Sequence, residues 1–278
     1  MNQTFSVARF GRLLRKYFTD NRGQLLADAV LIIGCLFLAS VFAYQGLPGS
    51  VMDLRTLLFF LFGWTGWYVF TVQQMSVLNQ KERGMNYLMQ PASQFEKIGI
   101  IWLVSGVGFV LVFGLVFTAL DSAGVWVVNH RNWSPEQVAL IKRQGGLFTI
   151  KPFFADNHLG NVPTQLWAFS ALLHAFTMVF TLLIRRNTLP LVAVTAFALL
   201  IFSYLGNNFL LHTLTGSGWI SSVSPFAQAT AQSPVNQYDY RAIALPQPIS
   251  NQLRYAVGII AVILLYSTAY VRLKEREV

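Results

Sequence analysis

Charge is scarce in this chain. Asp, Glu, Lys and Arg together make up 11% of its 278 residues, against the roughly one quarter that a soluble domain uses to keep its surface in water. With 54% hydrophobic residues, a water-soluble globular enzyme is excluded, and so is disorder, which needs charge and few large apolar side chains. A single cysteine, Cys35, lies inside an apolar run and rules out an intramolecular disulfide framework or a cysteine metal cluster. There is no GxxxxGK[ST] loop to cradle the phosphates of ATP and no HExxH. The four histidines, His130, His158, His174 and His212, have no metal-ligand spacing. GxxxG is absent as well, so helix packing must draw on other small residues and on aromatics.

What is present is length of apolar run. Six stretches, at about 27–46, 55–77, 99–120, 165–184, 189–211 and 254–271, are long enough to cross hydrocarbon, which takes roughly 20 helical residues. None alternates like a barrel strand, so each reads as a helix. The predicted fold class is an all-α membrane protein, one domain over 1–278, with six transmembrane helices behind an N-terminal interfacial amphipathic helix. The first stretch exceeds the core of a secretory signal and follows a long polar segment, so it reads as a span.

The centres of these runs carry no Asp, Glu, Lys or Arg, which leaves a proton- or sodium-coupled carrier without its buried carboxylates. Asp28 and Asp121 fall at span ends. His174 reads as a packing residue hydrogen-bonded within the bundle in preference to a proton relay, Asn207 and Asn208 as cross-helix hydrogen-bonding groups in preference to the lining of a path, and Trp64, Trp67 and Tyr68 as packing in preference to a face toward a lumen or a partner subunit.

The formal charge of +9 is a topology signal rather than a nucleic-acid footprint. Arg9, Arg12, Arg15, Lys16, Arg22, Lys81, Arg83, Lys97, Arg185, Arg186, Arg272, Lys274 and Arg276 all fall in segments on one side of a six-span arrangement. Arg55, Arg131, Lys142, Arg143, Lys151, Arg241 and Arg254 fall on the other. The positive-inside rule assigns the richer side, with both termini, to the cytoplasm.

Ahead of the first run, Phe10, Leu13, Leu14, Tyr17 and Phe18 share one helical face, and Arg9, Arg12, Arg15 and Lys16 the opposite one. Residues 5–24 therefore read as a helix in the membrane interface; the plainer reading is a basic flank that sets topology. On the outer side, residues 121–164 include Ser134, placed to cap a short helix that begins at Pro135. The prolines and glycines of 212–253 predict an irregular or re-entrant connection.

The most informative stretch is the short, charged inner loop over 78–98, from Lys81-Glu82-Arg83-Gly84 through Leu88 to Pro91-Ala92-Ser93 and Glu96. Pro91 is expected to start a new helix with Ser93 and Glu96 in its first turns, running into the third span. These residues resemble the inner loop of type-2 ABC exporter permeases: a charged ERG-type segment, a leucine-bearing turn and a Pro-x-Ser step. Ser224-Pro225-Phe226 before the last span is similar too. The outer loop after the third span is longer than that family suggests.

The resemblance implies a membrane permease subunit, not itself an enzyme and without a cofactor. It would pair with a second permease, identical or different, and with separate ATPase subunits in the bacterial cytoplasmic membrane. The coupling residues would be Glu82, Arg83, Gly84, Leu88, Pro91, Ser93 and Glu96, and the interfacial helix would use Arg9, Arg12, Arg15 and Lys16. The alternative is a non-transporting scaffold or sensor that binds a cytoplasmic partner through 78–98. A nucleic-acid partner is not expected.

Overall fold

A computed structural model describes residues 5–155, 164–215, 220–221, 229–232, 240–243 and 249–275. Ser224-Pro225-Phe226, the four prolines of the 212–253 connection and His158 lie outside them. Among the described residues there are eight helices: α1 Val7–Ala43, α2 Pro48–Ser76, α3 Lys81–Leu88, α4 Gln94–Asn129, α5 Pro135–Arg143, α6 Thr164–Leu183, α7 Thr188–Thr215 and α8 Ile249–Glu275. The chain divides into two compact units, Met1–His174 with Leu273–Val278, and Ala175–Arg272.

Four helical stretches are long and apolar enough to cross a membrane: Val7–Ala43, Gln94–Asn129, Thr188–Thr213 and Tyr255–Glu275. The expected second and fourth spans are helical too, in α2 (29 residues) and α6 (20 residues), but fall outside that set. In α2 the reason is composition: Trp64, Thr65, Gly66, Trp67, Tyr68, Gln73 and Gln74 dilute its apolar residues.

In the first unit, the pairings fix the direction of each helix. Tyr17 hydrogen-bonds Gln74, while Tyr44 and Val51 share one buried cluster, so α1 and α2 run antiparallel about the short turn at 44–47. Pro48 occupies the first turn of α2, where its missing N–H costs nothing. Arg9 meets Glu96 at one end and Tyr44 meets Asp121 at the other, so α4 runs parallel to α1. A column of Phe109, Phe113 and Phe117 on α4 forms the core. Two glycines of α2 make room for it: a Cβ on Gly63 would stand 3.2 Å from Phe113, and one on Gly66 3.2 Å from Phe109. Small-against-aromatic packing thus takes the place of the missing GxxxG pattern.

Two expectations about boundaries are corrected. The interfacial helix over 5–24 and the first span are one unbroken helix of 37 residues, about 55 Å long at 1.5 Å per residue. No proline lies between residues 18 and 27, and Gly23 alone does not break a helix. Pro91 does not start a helix; α4 begins at Gln94, with Ser93 as its cap. The Pro135 start is as expected, with Ser134 and Gln137 forming a reciprocal capping box.

In the second unit, α7 follows α6 through a tight turn at 184–187, where Asn187 takes a left-handed conformation (φ 47°). Of the 212–253 connection, the described residues between α7 and α8 are 220–221, 229–232 and 240–243. They form an antiparallel three-stranded sheet, β1 Ile220–Ser221, β2 Ala229–Gln232 and β3 Tyr240–Ile243, in the order β1-β2-β3.

Candidate partner-docking site

Between α2 and α4 the chain leaves its long helices over residues 77–93. A single 3-10 turn, Val77–Asn79, closes α2 and leads into α3. The two pack so closely that a Cβ on Gly84 would stand 2.8 Å from the carbonyl oxygen of Leu78, so only glycine fits there without a shift of backbone. Tyr87, buried on the same side, donates its hydroxyl to the carbonyl of Lys97 at 2.7 Å. Lys97 Nζ in turn donates to the carbonyl of Leu88, so the end of α3 is tied to the start of α4. Burial, helped by the nearby Tyr17, pushes the Tyr87 phenol well above its ordinary value and keeps it a neutral donor.

Glu96 is the centre of the arrangement. It is fully buried and is the reciprocal half of the Ser93 capping box: Glu96 N donates to Ser93 Oγ at 3.2 Å and Ser93 N donates to Glu96 Oε2 at 2.9 Å. Its other oxygen reaches the N-terminal helix, accepting from Ser6 N at 2.6 Å and from Arg9 Nη2 at 3.1 Å. One carboxylate therefore joins the starts of α1 and α4. Phe5 packs edge to face on Phe95 and at a tilt against Phe10. A buried carboxylate is tolerated only when charge and hydrogen bonds compensate its lost hydration, and here both do.

The residues expected to couple to a partner thus divide into two sets. Gly84, Ser93 and Glu96 are buried and build the element, and Leu88 is half-buried. Glu82, Arg83 and Pro91 are exposed, along with Lys81. The outward face also carries large apolar side chains: Met85 at 53% exposure, Met89 at 73% and Phe95 at 60%. Met85 and Met89 are one helical turn apart and lie on the same side of α3. Composition did not single them out, although the i, i+4 methionine spacing in a charged segment is a readable signal.

Of the four basic residues assigned to the interfacial helix, Arg9 is turned inward to Glu96, while Arg12, Arg15 and Lys16 are exposed. The apolar face opposite them is only partly available to lipid, since Leu13 and Tyr17 are buried. Beside α3 and α1 lies a polar cleft of about 440 Å³, lined by Asp20, Asn21, Gln24, Arg83, Asn86 and Gln90 among others.

Two further polar clusters hold the first unit together. Toward the other end, Asp121 lies 3.9 Å from Arg55, accepts from Tyr44 Oη and accepts from Phe153 N at 2.6 Å. Arg55 also donates to the carbonyl of Lys151 and lies over the Phe153 ring. Asn129 pairs with both backbone groups of Ile150 at 2.9 Å. These bonds fasten residues 150–153 onto α2 and α4. In mid-bundle, α4 widens into a π turn over Leu103–Gly108. The Ser105 carbonyl accepts from Trp67 Nε1 at 2.7 Å, and the Ser105 hydroxyl lies 3.0 Å from His174 Nε2. His174 is a buried packing residue, as expected. Among the described residues no group of His, Cys, Asp and Glu is arranged to hold a metal ion.

Comparison of the chain with protein-family models, curated protein sequences and solved structures finds no match.

Proposed function

We propose that this chain is the membrane-spanning permease subunit of an ATP-binding cassette transporter of the exporter type, with ATP hydrolysed by a separate subunit. The observation that carries the reading is the outward face of α3. Lys81, Glu82, Arg83 and Met85 are exposed on this short helix, which is tied on one side to α2 and on the other to α4 and α1, with exposed Met89 at its end and exposed Phe95 in the first turn of α4. Charge gives such a face specificity and methionine gives it adaptable apolar contact, the combination a docking helix needs.

In this reading α3 seats in a cleft of the ATPase. When two ATPases close on ATP, they displace α3, and the Gly84, Tyr87–Lys97 and Glu96 contacts pass that displacement to the long helices without a soft joint. The mixed-charge face and the missing phosphate loop divide the work between permease and partner. Six crossings, with α2 and α6 as the second and fourth, place α3 and both termini in the cytoplasm and leave the 130–155 segment outside. The permease would work as a pair with a second copy or a related chain, in the bacterial cytoplasmic membrane.

The test is reconstitution with the cognate ATPase. Reversing charge at Glu82 and Arg83 together, and replacing Met85 and Met89 with Asp, should abolish co-purification of the ATPase and permease-dependent ATP hydrolysis. Unchanged association would refute the docking role. Retained association with no ATP-driven change in α3 would favour a scaffold or sensor.

A further inference from the structure

Residues 142–149 are all exposed and stand between two buried isoleucines, Ile141 and Ile150. Both ends of this loop are pinned to the first unit. Asn129 holds the two backbone groups of Ile150, and Ile150 shares one buried cluster with Ala43, Tyr44, Val51 and Val128. At the other end a Cβ on Gly49, at the start of α2, would stand 3.8 Å from Gln144 Oε1. The reversal between them uses Gly145 and Gly146 at positive φ (108° and 72°), with Gly146 N donating to the Ile141 carbonyl at 2.9 Å.

The cluster around Ile150 marks a level relative to the membrane. Helix α1, which contains a stretch long and apolar enough to cross a bilayer, has no charged residue after Asp28 and ends at Ala43. Its apolar run therefore leaves hydrocarbon at Ala43 and Tyr44, beside Val128 and Ile150. Trp126, on the same turn of α4 as Val128, is 63% exposed, which suits an aromatic at a membrane–water boundary. The loop thus starts and ends at that boundary, and every contact that fixes its level lies within the first unit.

Its chemistry is basic and apolar together. Residues 130–155 contain Arg131, Lys142, Arg143 and Lys151 against one acid, Glu136. Arg131 is spent on the carbonyls of Tyr44 and Gln45 and on the Trp133 ring. Lys142, Arg143 and Lys151 are exposed and form no ion pair among the described residues. Between them Leu147 and Phe148 are 41% and 38% exposed. Cations flanking an apolar pair at the edge of hydrocarbon match an anionic lipid surface, which offers phosphate to the cations and the upper acyl layer to the pair.

We propose that this loop is a lipid-binding element that seats on anionic phospholipid. Lys142, Arg143 and Lys151 bind the phosphate headgroups, and Leu147 and Phe148 sit at headgroup depth, where water still reaches. The element is separate from the α3 docking face and does not rest on the transporter reading.

The test uses the full chain with Cys35→Ser and Thr149→Cys, carrying the fluorophore NBD at position 149, in nanodiscs of phosphatidylcholine and phosphatidylglycerol. A small share of one lipid or the other carries a nitroxide just below its headgroup, which quenches NBD on contact. Labelled phosphatidylglycerol should quench about fivefold more than labelled phosphatidylcholine, the scale of one Lys or Arg at an anionic surface. Replacing Lys142, Arg143 and Lys151 with Gln should bring the two lipids level. Raising KCl from about 50 mM to about 500 mM should do the same to the unsubstituted loop by screening, and this arm serves alone if the triple variant does not fold. Equal quenching by the two lipids in the unsubstituted loop, or a preference that survives the substitutions or the salt, would overturn the proposal. So would quenching by neither lipid, the outcome if another protein surface covers the loop.

Discussion

At the scale of single residues, the segment between α2 and α4 divides into side chains that build it, such as Gly84, Tyr87, Ser93 and Glu96, and exposed ones, such as Glu82, Arg83, Met85 and Met89. Glu96→Ala leaves Ser6 N, Ser93 N and Arg9 without their shared acceptor and should cost about 3 kcal/mol. Glu96→Gln keeps the capping geometry and should cost about 1 kcal/mol. Glu82→Ala, at an exposed position, should shift stability by less than about 0.5 kcal/mol. Thermal unfolding of the purified protein in detergent gives the order, and a Glu82 effect as large as that of Glu96 would show that the division is wrong. Gly84→Ala should destabilise despite alanine's better helix propensity, because its Cβ would meet the Leu78 carbonyl at 2.8 Å. Sequence pattern placed Gly84, Ser93, Glu96, Glu82 and Arg83 in one group, and rightly in one loop. It did not show that Glu96 reaches back 87 residues to Arg9, because a carboxylate in a charged segment looks the same in sequence whether its partner is solvent, another subunit or the chain itself.

At the scale of elements, the π turn of α4 offers a sharp contrast. A π turn is one extra residue accommodated within a helix. Deleting Val107 should therefore convert Leu103–Gly108 to ordinary α-helix and leave the flanking faces in register. Deleting Leu115, less than two turns before Asp121, turns everything beyond it by about 100° and takes Asp121 off Arg55 and Tyr44. Fluorescence-detected gel filtration should find the Val107 deletion monodisperse and the Leu115 deletion aggregated; the reverse order would contradict the assigned role of the turn. Each of the six apolar stretches read from the sequence falls largely on a helix, and four of those helices are long and apolar enough to cross a membrane, because a run of some 20 apolar residues is hard to misread. Sequence periodicity missed where they end. Nothing in composition marks α4 as running through its span to Asn129, nor α1 as continuous from Val7. Hydropathy reports burial in lipid, whereas helix ends are set by caps such as Ser93 and by the absence of breakers.

At the scale of the whole molecule, topology and partnership are the claims. Cys35 is the chain's one cysteine, so Cys35→Ser provides a background for single-cysteine probes. In that background a cysteine at Met89 should react with a membrane-impermeant maleimide only after cells are opened, and one at Phe148 should react in intact cells. Reaction of both from the same side would remove the six-crossing arrangement. The scarce charge of the chain is placed with economy. Part of it locks elements together internally, as at Glu96 with Arg9 and at Asp121 with Arg55, and part is displayed on α3 and the basic face of α1. Composition alone shows the scarcity; the division between locking and display appears only once distant segments are brought together.

The most direct measurement of the central claim is affinity purification of the tagged full chain from the membranes of the cell that makes it, with assay of nucleotide hydrolysis and protein composition of the eluate. The account predicts a stoichiometric subunit bearing a phosphate-binding loop and ATP hydrolysis in the eluate, both lost when Glu82 and Arg83 are reversed in charge while the chain itself stays folded. An eluate with no such subunit, or one that keeps it after the reversal, would contradict the account.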